Sequence, residues 1–440
     1  MTTDQNYQQI YRVGGMLDAG FVGQITYTIS LDQVYDELDI HFSFDKRLCS
    51  ESDVTPELID RLQTLCTAKY NAPTYPVEEF RQTILHEMKT EIHTMAELND
   101  DFIGCIHRQL TDRHMLYTKE FTSDGCLAQD TFSGVLKVTV LVFNVLLDNT
   151  QYTLTVSGHP VGQGVIAPNF NLMDTVKTAA GNAGASNAAG SADNSCDAKS
   201  APASAVATAG SSGVSGAGSA ATAGDSSTTG SSSAGNTVTA STRFKRLELH
   251  NHTVESDGSL TCQELTEYLA ADHVDAFAIT DHNTTSGQKK IEQLLEEKHY
   301  PISLIRGMEY TTYFGHILCL NLSKYVPWNS IDQHRPELLF EAAREKGALV
   351  GIAHPFSYGD PFARGCRFEM TVSDYSKVDF IEIFNNPEPL HEVNERGTNL
   401  WMSLIFSGYQ ITATSGMDLH NRAKLAGCYA TYIEGKNGGN

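Results

Sequence analysis

The chain has 440 residues, enough for two or three domains with separate cores, and its 41% hydrophobic content is typical of a globular protein. Its formal net charge of −22 opposes attraction to a polyanion, so extended nucleic acid is not expected as a partner.

The longest apolar stretch, residues 134–147, is too short to cross a bilayer as a helix, and no membrane partner is predicted. Residues 1–10 lack the pattern of a signal peptide, and nine scattered cysteines indicate reduced thiols, so the predicted location is cytoplasmic.

Residues 1–170 are predicted to form a strand-rich α+β domain, whose role the sequence does not indicate. Alternating apolar and polar residues predict strands, and helical spacing predicts helices between them. The predicted strands are 22–31, 38–44, 134–147 and 151–157, the last two paired around the turn 148–150, and the predicted helices are 56–66 and 77–98. His86 and His93 lie seven residues apart on the second helix and are interpreted as a solvated stripe.

Ala, Gly, Ser and Thr dominate residues 177–242, which contain almost no aromatic or large aliphatic side chains. Such a segment cannot bury enough apolar surface to offset the entropy lost on ordering. It is predicted to be a flexible linker between two domains.

Residues 243–440 alternate predicted strands and helices, which indicates a βα fold. Thr261 with Glu264 has the pattern of a capping box and predicts the start of the first helix. The predicted strands are 244–252, 276–280, 302–310, 316–322, 348–353, 380–384 and 410–414, and later helices are 286–298, 336–346 and 390–407. In such folds ligands collect beyond the carboxyl ends of the strands.

Histidine and acidic side chains occur at these predicted strand ends. His250 and His252 share one face of their strand, so both rings can converge on one ion beyond its end. Asp418 and His420 repeat this spacing at the far end of the domain, and a carboxylate such as Glu309 can bridge two cations. Nine His, Asp or Glu residues at strand ends can therefore hold two or three divalent ions.

The series HxHT…SDG, TDHN, GxE…GH, AHP and GxDxH, over about residues 245–431, resembles the PHP superfamily, named for polymerase and histidinol phosphatase. The resemblance implies a distorted (β/α)7 barrel with two or three divalent ions, drawn from Zn, Mn, Fe and Mg. The short spacing from Glu309 to His316 is more similar to the CehA/McbA branch than to the histidinol-phosphatase or polymerase branches. The superfamily often has a histidine where Asp257 stands. The implied ligands are His250, His252, Asp257, His282, Glu309, His316, His354, Asp418 and His420.

The leading hypothesis is a metal-dependent phosphoesterase that hydrolyses a small phosphate ester, such as a nucleotide, by a metal-activated hydroxide. One alternative is a carbamate or amide hydrolase with the same metal centre, which the resemblance also allows. A second alternative is a non-catalytic, metal-stabilised module whose N-terminal domain recognises a partner. Open coordination positions would favour catalysis, because structural sites saturate with protein ligands.

Roles for individual residues follow from the hypothesis. The metal-bound water is expected to be held by Glu309, Asp418 and His282. Arg364 and Arg367 lie in a Gly- and Pro-rich loop and are candidates to bind the substrate phosphate, although plain surface arginines are an equal interpretation. Asp281, beside a ligand, is expected to orient the site from behind.

Overall fold

A computed structural model describes residues 7–70, 76–162, 243–386, 390–425 and 427–435. The predicted linker at 177–242 lies outside these described residues. No helix in the described part of the chain is long and apolar enough to cross a membrane.

The N-terminal region is an antiparallel sheet with two helices between its second and third strands in the sequence. Its elements are β1 (Gln8–Leu17), β2 (Gly23–Phe44), α1 (Pro56–Tyr70), α2 (Val77–His86), β3 (Glu91–Leu98), β4 (Asp101–Ile106), β5 (Asp112–Tyr117), β6 (Phe132–Asn144) and β7 (Thr150–Pro160). The sheet has the order β1-β7-β2-β6-β3-β4, and β5 pairs with β2. Its strand pairs are antiparallel, as expected for a strand-rich α+β domain.

Three details differ from the predicted elements of this region. The strands predicted at 22–31 and 38–44 are one strand, β2, whose first half pairs with β6 and whose second half pairs with β7. Strands β6 and β7 are therefore not neighbours, because β2 lies between them. The helix predicted over 77–98 ends at His86, and the following residues form β3 instead.

The pairing of β3 explains the early end of that helix. Both edges of β3 are hydrogen-bonded, one to β4 and the other to β6. The segment contains the β-branched residues Ile92 and Thr94, which pack well on a pleated surface. Its Glu, Met, Ala and Leu favour a helix in isolation, so tertiary pairing overrides local propensity here.

The C-terminal region alternates strands and helices. Its elements are β8 (Arg243–Glu248), α3 (Cys262–Ala271), β9 (Ala276–Ile279), α4 (Ser286–Lys298), β10 (Ser303–Thr312), β11 (Gly315–Leu320), α5 (Glu337–Glu345), β12 (Leu349–Ile352), a 3-10 turn (Tyr375–Lys377), β13 (Phe380–Asn385), α6 (Glu392–Phe406), β14 (Thr412–Gly416) and β15 (Thr431–Gly435). Helix α3 has the predicted capping box, in which the Thr261 hydroxyl accepts from the Glu264 backbone N–H and the Glu264 carboxylate accepts from Thr261 N–H.

Eight of these strands form a nearly closed, barrel-like sheet of order β14-β13-β12-β11-β10-β9-β8-β15. The chain segments after β8 and β14 meet, because His252 N–H donates to Leu419 O and Leu419 N–H donates to His250 O, at 3.0 and 3.1 Å. Strand β11 is antiparallel to both neighbours, so the sheet is not a strict βα alternation.

The N-terminal sheet and the barrel share a hydrophobic core. Met95 of β3 and Phe143 of β6 pack in one cluster with Met308 and Tyr310 of β10. The opposite face of the same sheet has its own core, in which Ile92 and other strand residues are buried. Because side chains alternate along a strand, the residues of β3 on the face of Met95 point towards the barrel. Residues 7–160 and 243–435 accordingly fall in one compact unit.

Candidate metal centre

The nine predicted ligands lie at one end of the barrel-like sheet. His250 and His252 follow β8, Asp257 lies in the next loop, His282 follows β9, Glu309 lies in β10, His316 begins β11, His354 follows β12, and Asp418 and His420 follow β14. His316 is at the start of its strand, yet it reaches the same end because β11 is antiparallel and His316 pairs with Thr311 near the end of β10. The barrel topology thus gathers residues 170 positions apart.

Glu309 is at the centre of this group, and its two carboxylate oxygens face different histidines. Oε2 lies 3.2 Å from His250 Nε2 and 3.3 Å from His252 Nε2. Oε1 lies 2.8 Å from His316 Nδ1 and 3.0 Å from His354 Nε2. A carboxylate placed in this way can bridge two cations.

Asp418 completes the first set of ligand atoms. Its Oδ1 lies 3.0 Å from His252 Nε2 and 3.3 Å from His250 Nε2, so these atoms and the Glu309 carboxylate surround one point. The second set contains Asp257, whose Oδ1 lies 3.2 Å from His420 Nε2 and 3.6 Å from His282 Nε2. All of the ligands in these two sets are buried or largely buried.

The nine residues fit divalent cations because their polar atoms converge, yet several of these atoms do not form hydrogen bonds with one another. Buried atoms without a hydrogen-bond partner among the described residues include His250 Nε2, both ring nitrogens of His252, Asp257 Oδ1, Glu309 Oε2, His316 Nε2 and Asp418 Oδ1. These nitrogens and oxygens are near each other but not aligned as donor and acceptor. Buried polar atoms are costly when unpaired, and a cation at the point of convergence would satisfy them.

The electrostatics favour ionised carboxylates in this centre. Burial alone raises the pKa of Asp257, Glu309 and Asp418, but the histidines around them outweigh it and hold each pKa well below its ordinary value. Burial lowers the pKa of His316 to about 4, so its imidazole is neutral at neutral pH. Burial alone lowers the pKa of His250, His282, His354 and His420, but nearby carboxylates outweigh it and raise each pKa, to about 9 for His354 and about 10 for His420. A cation would therefore displace protons from these four rings, because ionised carboxylates and neutral imidazoles are the forms that bind metal.

Glu382, in β13, is a site residue that the sequence analysis missed. Its Oε1 lies 3.0 Å from His250 Nδ1, and its Oε2 accepts from the His354 backbone N–H at 3.0 Å. A side chain at Gly416 would collide with both Glu382 and His250, so this close approach requires glycine. With its proton on Nδ1 donated to this carboxylate, His250 would present Nε2 to the centre as a ligand atom. An acidic residue inside the buried apolar run Phe380–Asn385 was the available signal.

Asp281 orients the loop that carries two candidate ligands. Its Oδ1 accepts from Thr253 N–H at 2.7 Å and from the Ser256 hydroxyl at 2.6 Å, and its Oδ2 accepts from the Thr253 hydroxyl at 2.8 Å. These bonds fix the chain between His252 and Asp257, as expected for a residue that acts from behind the ligands.

The two arginines proposed to bind phosphate occupy different places. Arg364 lines a cavity of about 210 Å³ that also borders Asp257, His316 and Asp418. Its Nη2 pairs with Asp360 at 3.0 Å, whereas its buried Nε has no hydrogen-bond partner among the described residues. The Arg367 guanidinium instead stacks 5.5 Å from the ring centres of both Tyr70 and Phe356. Of the two, Arg364 is therefore the one beside the candidate centre.

The N-terminal region also contributes to the wall of this cavity, which the sequence did not indicate. Lys89, Glu91, His107 and Gln109 line it together with the barrel residues. The His107 ring stacks on His282 with 4.0 Å between ring centres, and its Nε2 lies 3.5 Å from Asp257 Oδ2. The candidate centre thus lies at the junction of the two regions.

Residues 7–160 match the model of a family of unknown function, DUF6669. Over 112 residues the chain is 30% identical to an uncharacterized protein of Methanocaldococcus jannaschii, a match covering 26% of this chain and 58% of that protein. Over 141 residues it is 36% identical to a 5'-3' exoribonuclease of Haemophilus influenzae, covering 30% of this chain and 50% of the relative. The chain spans about half the length of these curated relatives.

Among solved structures, the chain aligns with a two-domain protein from Bacteroides vulgatus that contains a predicted PHP-like metal-dependent phosphoesterase. The alignment has 19% identity and a TM-score of 0.32, and it covers 41% of this chain and 53% of that one.

Proposed function

We propose that this chain is a metal-dependent phosphoesterase of the CehA/McbA-like branch of the PHP superfamily, acting on a small phosphate ester. One observation carries the proposal: imidazole nitrogens and carboxylate oxygens from many strand ends converge, while several of these buried atoms lack a hydrogen-bond partner among the described residues. Two or three divalent ions of Zn, Mn, Fe or Mg would be held by the nine residues named above. Bound there, such ions would activate water and stabilise negative charge on phosphate oxygens.

The side chains around the ions have distinct roles in this proposal. Glu309, Asp418 and His282 would hold the ions, which would supply the activation of the attacking water. Glu382 fixes the orientation of His250, and Arg364 binds a phosphate oxygen from the cavity wall. Lys89, which lines the same cavity, adds a second positive charge from the N-terminal region. Arg367 braces the loop through its stacking on Tyr70.

A second cavity favours an aromatic substituent on the substrate. It measures about 350 Å³ and is lined by Tyr70, Phe80, Tyr358 and Phe362. Tyr358 lines both this cavity and the one at the candidate metal centre. The carboxylates of Glu79 and Glu87 also line it and can accept hydrogen bonds from exocyclic amines. A nucleotide, with its phosphate at the ions and its base against the aromatic lining of the second cavity, suits this pair of cavities.

Removal of a nucleotide from the 5' end of RNA is a second candidate reaction. It is favoured by the 36% identity, over 30% of this chain, to a 5'-3' exoribonuclease. The net charge of −22 favours a small ester over a long polyanion. Both reactions would use the same metal centre and would differ in what lies beyond the first nucleotide.

The test is hydrolysis by the full chain loaded with Mn²⁺ or Zn²⁺. The panel contains nucleoside monophosphates, ribose 5-phosphate, 5'-phosphorylated oligoribonucleotides and an aryl carbamate. We expect the protein to hydrolyse nucleoside monophosphates, and we expect Asp418→Asn to reduce the rate by more than about 100-fold. Loss of a direct metal ligand should reduce activity more than loss of a residue that only hydrogen-bonds to a ligand, which typically costs about 10- to 100-fold. Asp112→Asn, which changes an exposed carboxylate far along the sequence from the ligands, is the matched control.

Each substrate class decides between named alternatives. Faster cleavage of the oligoribonucleotides would favour the exoribonuclease reaction over the small-ester reaction. Turnover of the carbamate alone would replace phosphoesterase activity with carbamate hydrolysis. Turnover of phosphate esters that survives Asp418→Asn would refute the proposal that this centre performs the reaction.

A further inference from the structure

A second buried group of potential ligands belongs to the N-terminal region. Glu91 and His93 lie two residues apart on β3, on the strand face that Met95 presents to the barrel. His107 follows β4, which pairs with β3 so that Thr94 is opposite Ile106. Continuing this register places His107 opposite His93, and their ring centres are 4.0 Å apart. The three side chains therefore come from adjacent positions of one strand pair.

The three residues offer ligand atoms that converge in a buried space. One ligand atom from each of Glu91, His93 and His107 lies within 4.8 Å of the other two. The exposed fractions of the three residues are 5%, 0% and 4%. Neither ring nitrogen of His93 has a hydrogen-bond partner among the described residues, and neither does His107 Nδ1. His93 Nε2 is 3.2 Å from Glu91 Oε1, close to it but not aligned for hydrogen bonding.

The types of the three side chains suit a cation. Two imidazoles and one carboxylate form a donor set used for Zn²⁺ and other first-row divalent metals.

We propose that Glu91, His93 and His107 form a further site for a first-row divalent metal ion, separate from the ligands supplied by the barrel. This site adjoins the barrel centre, because His107 Nε2 lies 3.5 Å from Asp257 Oδ2 and the His107 ring stacks on His282. Glu91 and His107 also line the cavity that borders the barrel ligands. The ion adds positive charge to the wall of that cavity and joins the N-terminal sheet to the end of the barrel.

An exposed trio on the same sheet is a natural control. His41, Asp112 and His114 also offer ligand atoms within 4.8 Å of one another. Their side chains are 33%, 64% and 49% exposed, and both histidines already bond to carboxylates, His41 to Asp112 at 3.2 Å and His114 to Asp39 at 2.9 Å. Water and these acids satisfy the trio, so it has little need for an ion.

The test measures metal bound per chain in the full-length protein, after loading with Zn²⁺ and removal of free metal, by elemental mass spectrometry. We expect Glu91→Gln and His93→Phe each to lose about one metal equivalent relative to the unchanged protein. Asp112→Asn, which removes the carboxylate of the exposed trio, should lose none. Anomalous diffraction from zinc-loaded crystals should show a peak between Glu91, His93 and His107.

Metal content equal to that of the unchanged protein in both Glu91→Gln and His93→Phe, or no anomalous peak at this position, would overturn the proposal. Circular dichroism of the metal-free variants checks that they fold. If His93→Phe does not fold, the nearly isosteric Glu91→Gln and the anomalous map decide the outcome. None of these measurements depends on hydrolysis, so the result stands apart from the proposed reaction.

Discussion

The strand end after β8 and the strand pair β3–β4 place potential metal ligands in similar ways, but only the first is visible in the sequence. In both, two ligand-type residues lie two positions apart, His250 and His252 just after β8 in the barrel and Glu91 and His93 on β3 in the sheet. The barrel residues belong to a series of recognisable motifs at several strand ends. The sheet residues depend on His107, whose position is set by strand pairing alone. Sequence motifs can therefore reveal a site at strand ends. A site that depends on which residues lie opposite each other on paired strands becomes visible only in the structure.

Removal of metal should have the largest effect on both regions. Exhaustive chelation is expected to abolish hydrolysis and to lower the melting temperature, because ions that bind only the folded state stabilise it. One site with free metal at 100 times its dissociation constant contributes about 2.7 kcal/mol. Differential scanning fluorimetry with and without chelator measures the change, and re-addition of Mn²⁺ or Zn²⁺ should reverse it. Since the sheet and barrel share a core, a single shifted transition is expected. An unchanged melting temperature would show that the unpaired buried atoms are not metal ligands.

Much of the barrel could be predicted because local signals agree with the final structure. Helix α4 spans the predicted residues Ser286–Lys298, and the capping box at Thr261 forms as expected. The candidate ligands lie at strand ends, where turns and polar residues are easy to recognise. The antiparallel direction of β11 could not be predicted, although it brings His316 to Glu309.

The N-terminal region was harder to predict because tertiary pairing decides its structure. The residues of β3 have a helix-favouring composition, and the sequence predicts a continuous helix through residue 98. On a helix, Glu91 and His93 would point in different directions, so the wrong periodicity hid their common face. The unpredicted strands β1, β4 and β5 complete the same sheet.

Glu382→Gln tests whether metal binding in the barrel depends on a carboxylate that contacts a candidate ligand but is not itself one of the nine. No sequence motif revealed this residue. The substitution weakens the contact that fixes the His250 ring, so metal affinity should fall about 10- to 100-fold. Calorimetric titration of the metal-free protein measures the affinity. Glu248→Gln is the matched control, since Glu248 is equally buried but accepts from the backbone N–H groups of Met417 and His250, at 2.8 and 3.3 Å. Equal losses in the two variants would indicate a general effect of altering buried acids.

Tyr358→Ala tests whether the two regions build one substrate site. Tyr358 comes from the barrel, and its ring meets the Tyr70 ring of α1 edge to face, with 5.6 Å between ring centres, while both line the second cavity. Loss of a stacking surface worth about 1–3 kcal/mol should raise KM for a nucleoside monophosphate roughly 10-fold, with kcat little changed. Ribose 5-phosphate, which lacks a base, should show no such change in steady-state kinetics. A similar rise in KM for both substrates would place the base elsewhere.

Thr261→Ala is expected to have the smallest effect, and it separates stability from chemistry within the barrel. The Thr261 hydroxyl accepts from the Glu264 N–H at the start of α3, so its loss should cost about 1 kcal/mol of folding stability. Helix α3 packs through Leu265 and Leu269 into a core away from the shared cluster. Metal content and affinity should therefore match those of the unchanged protein, while the melting temperature falls slightly. A loss of bound metal in this variant would mean that the loop carrying Asp257 depends on the helix that follows it, and that barrel ligands are held by distant contacts as well as by their own strands.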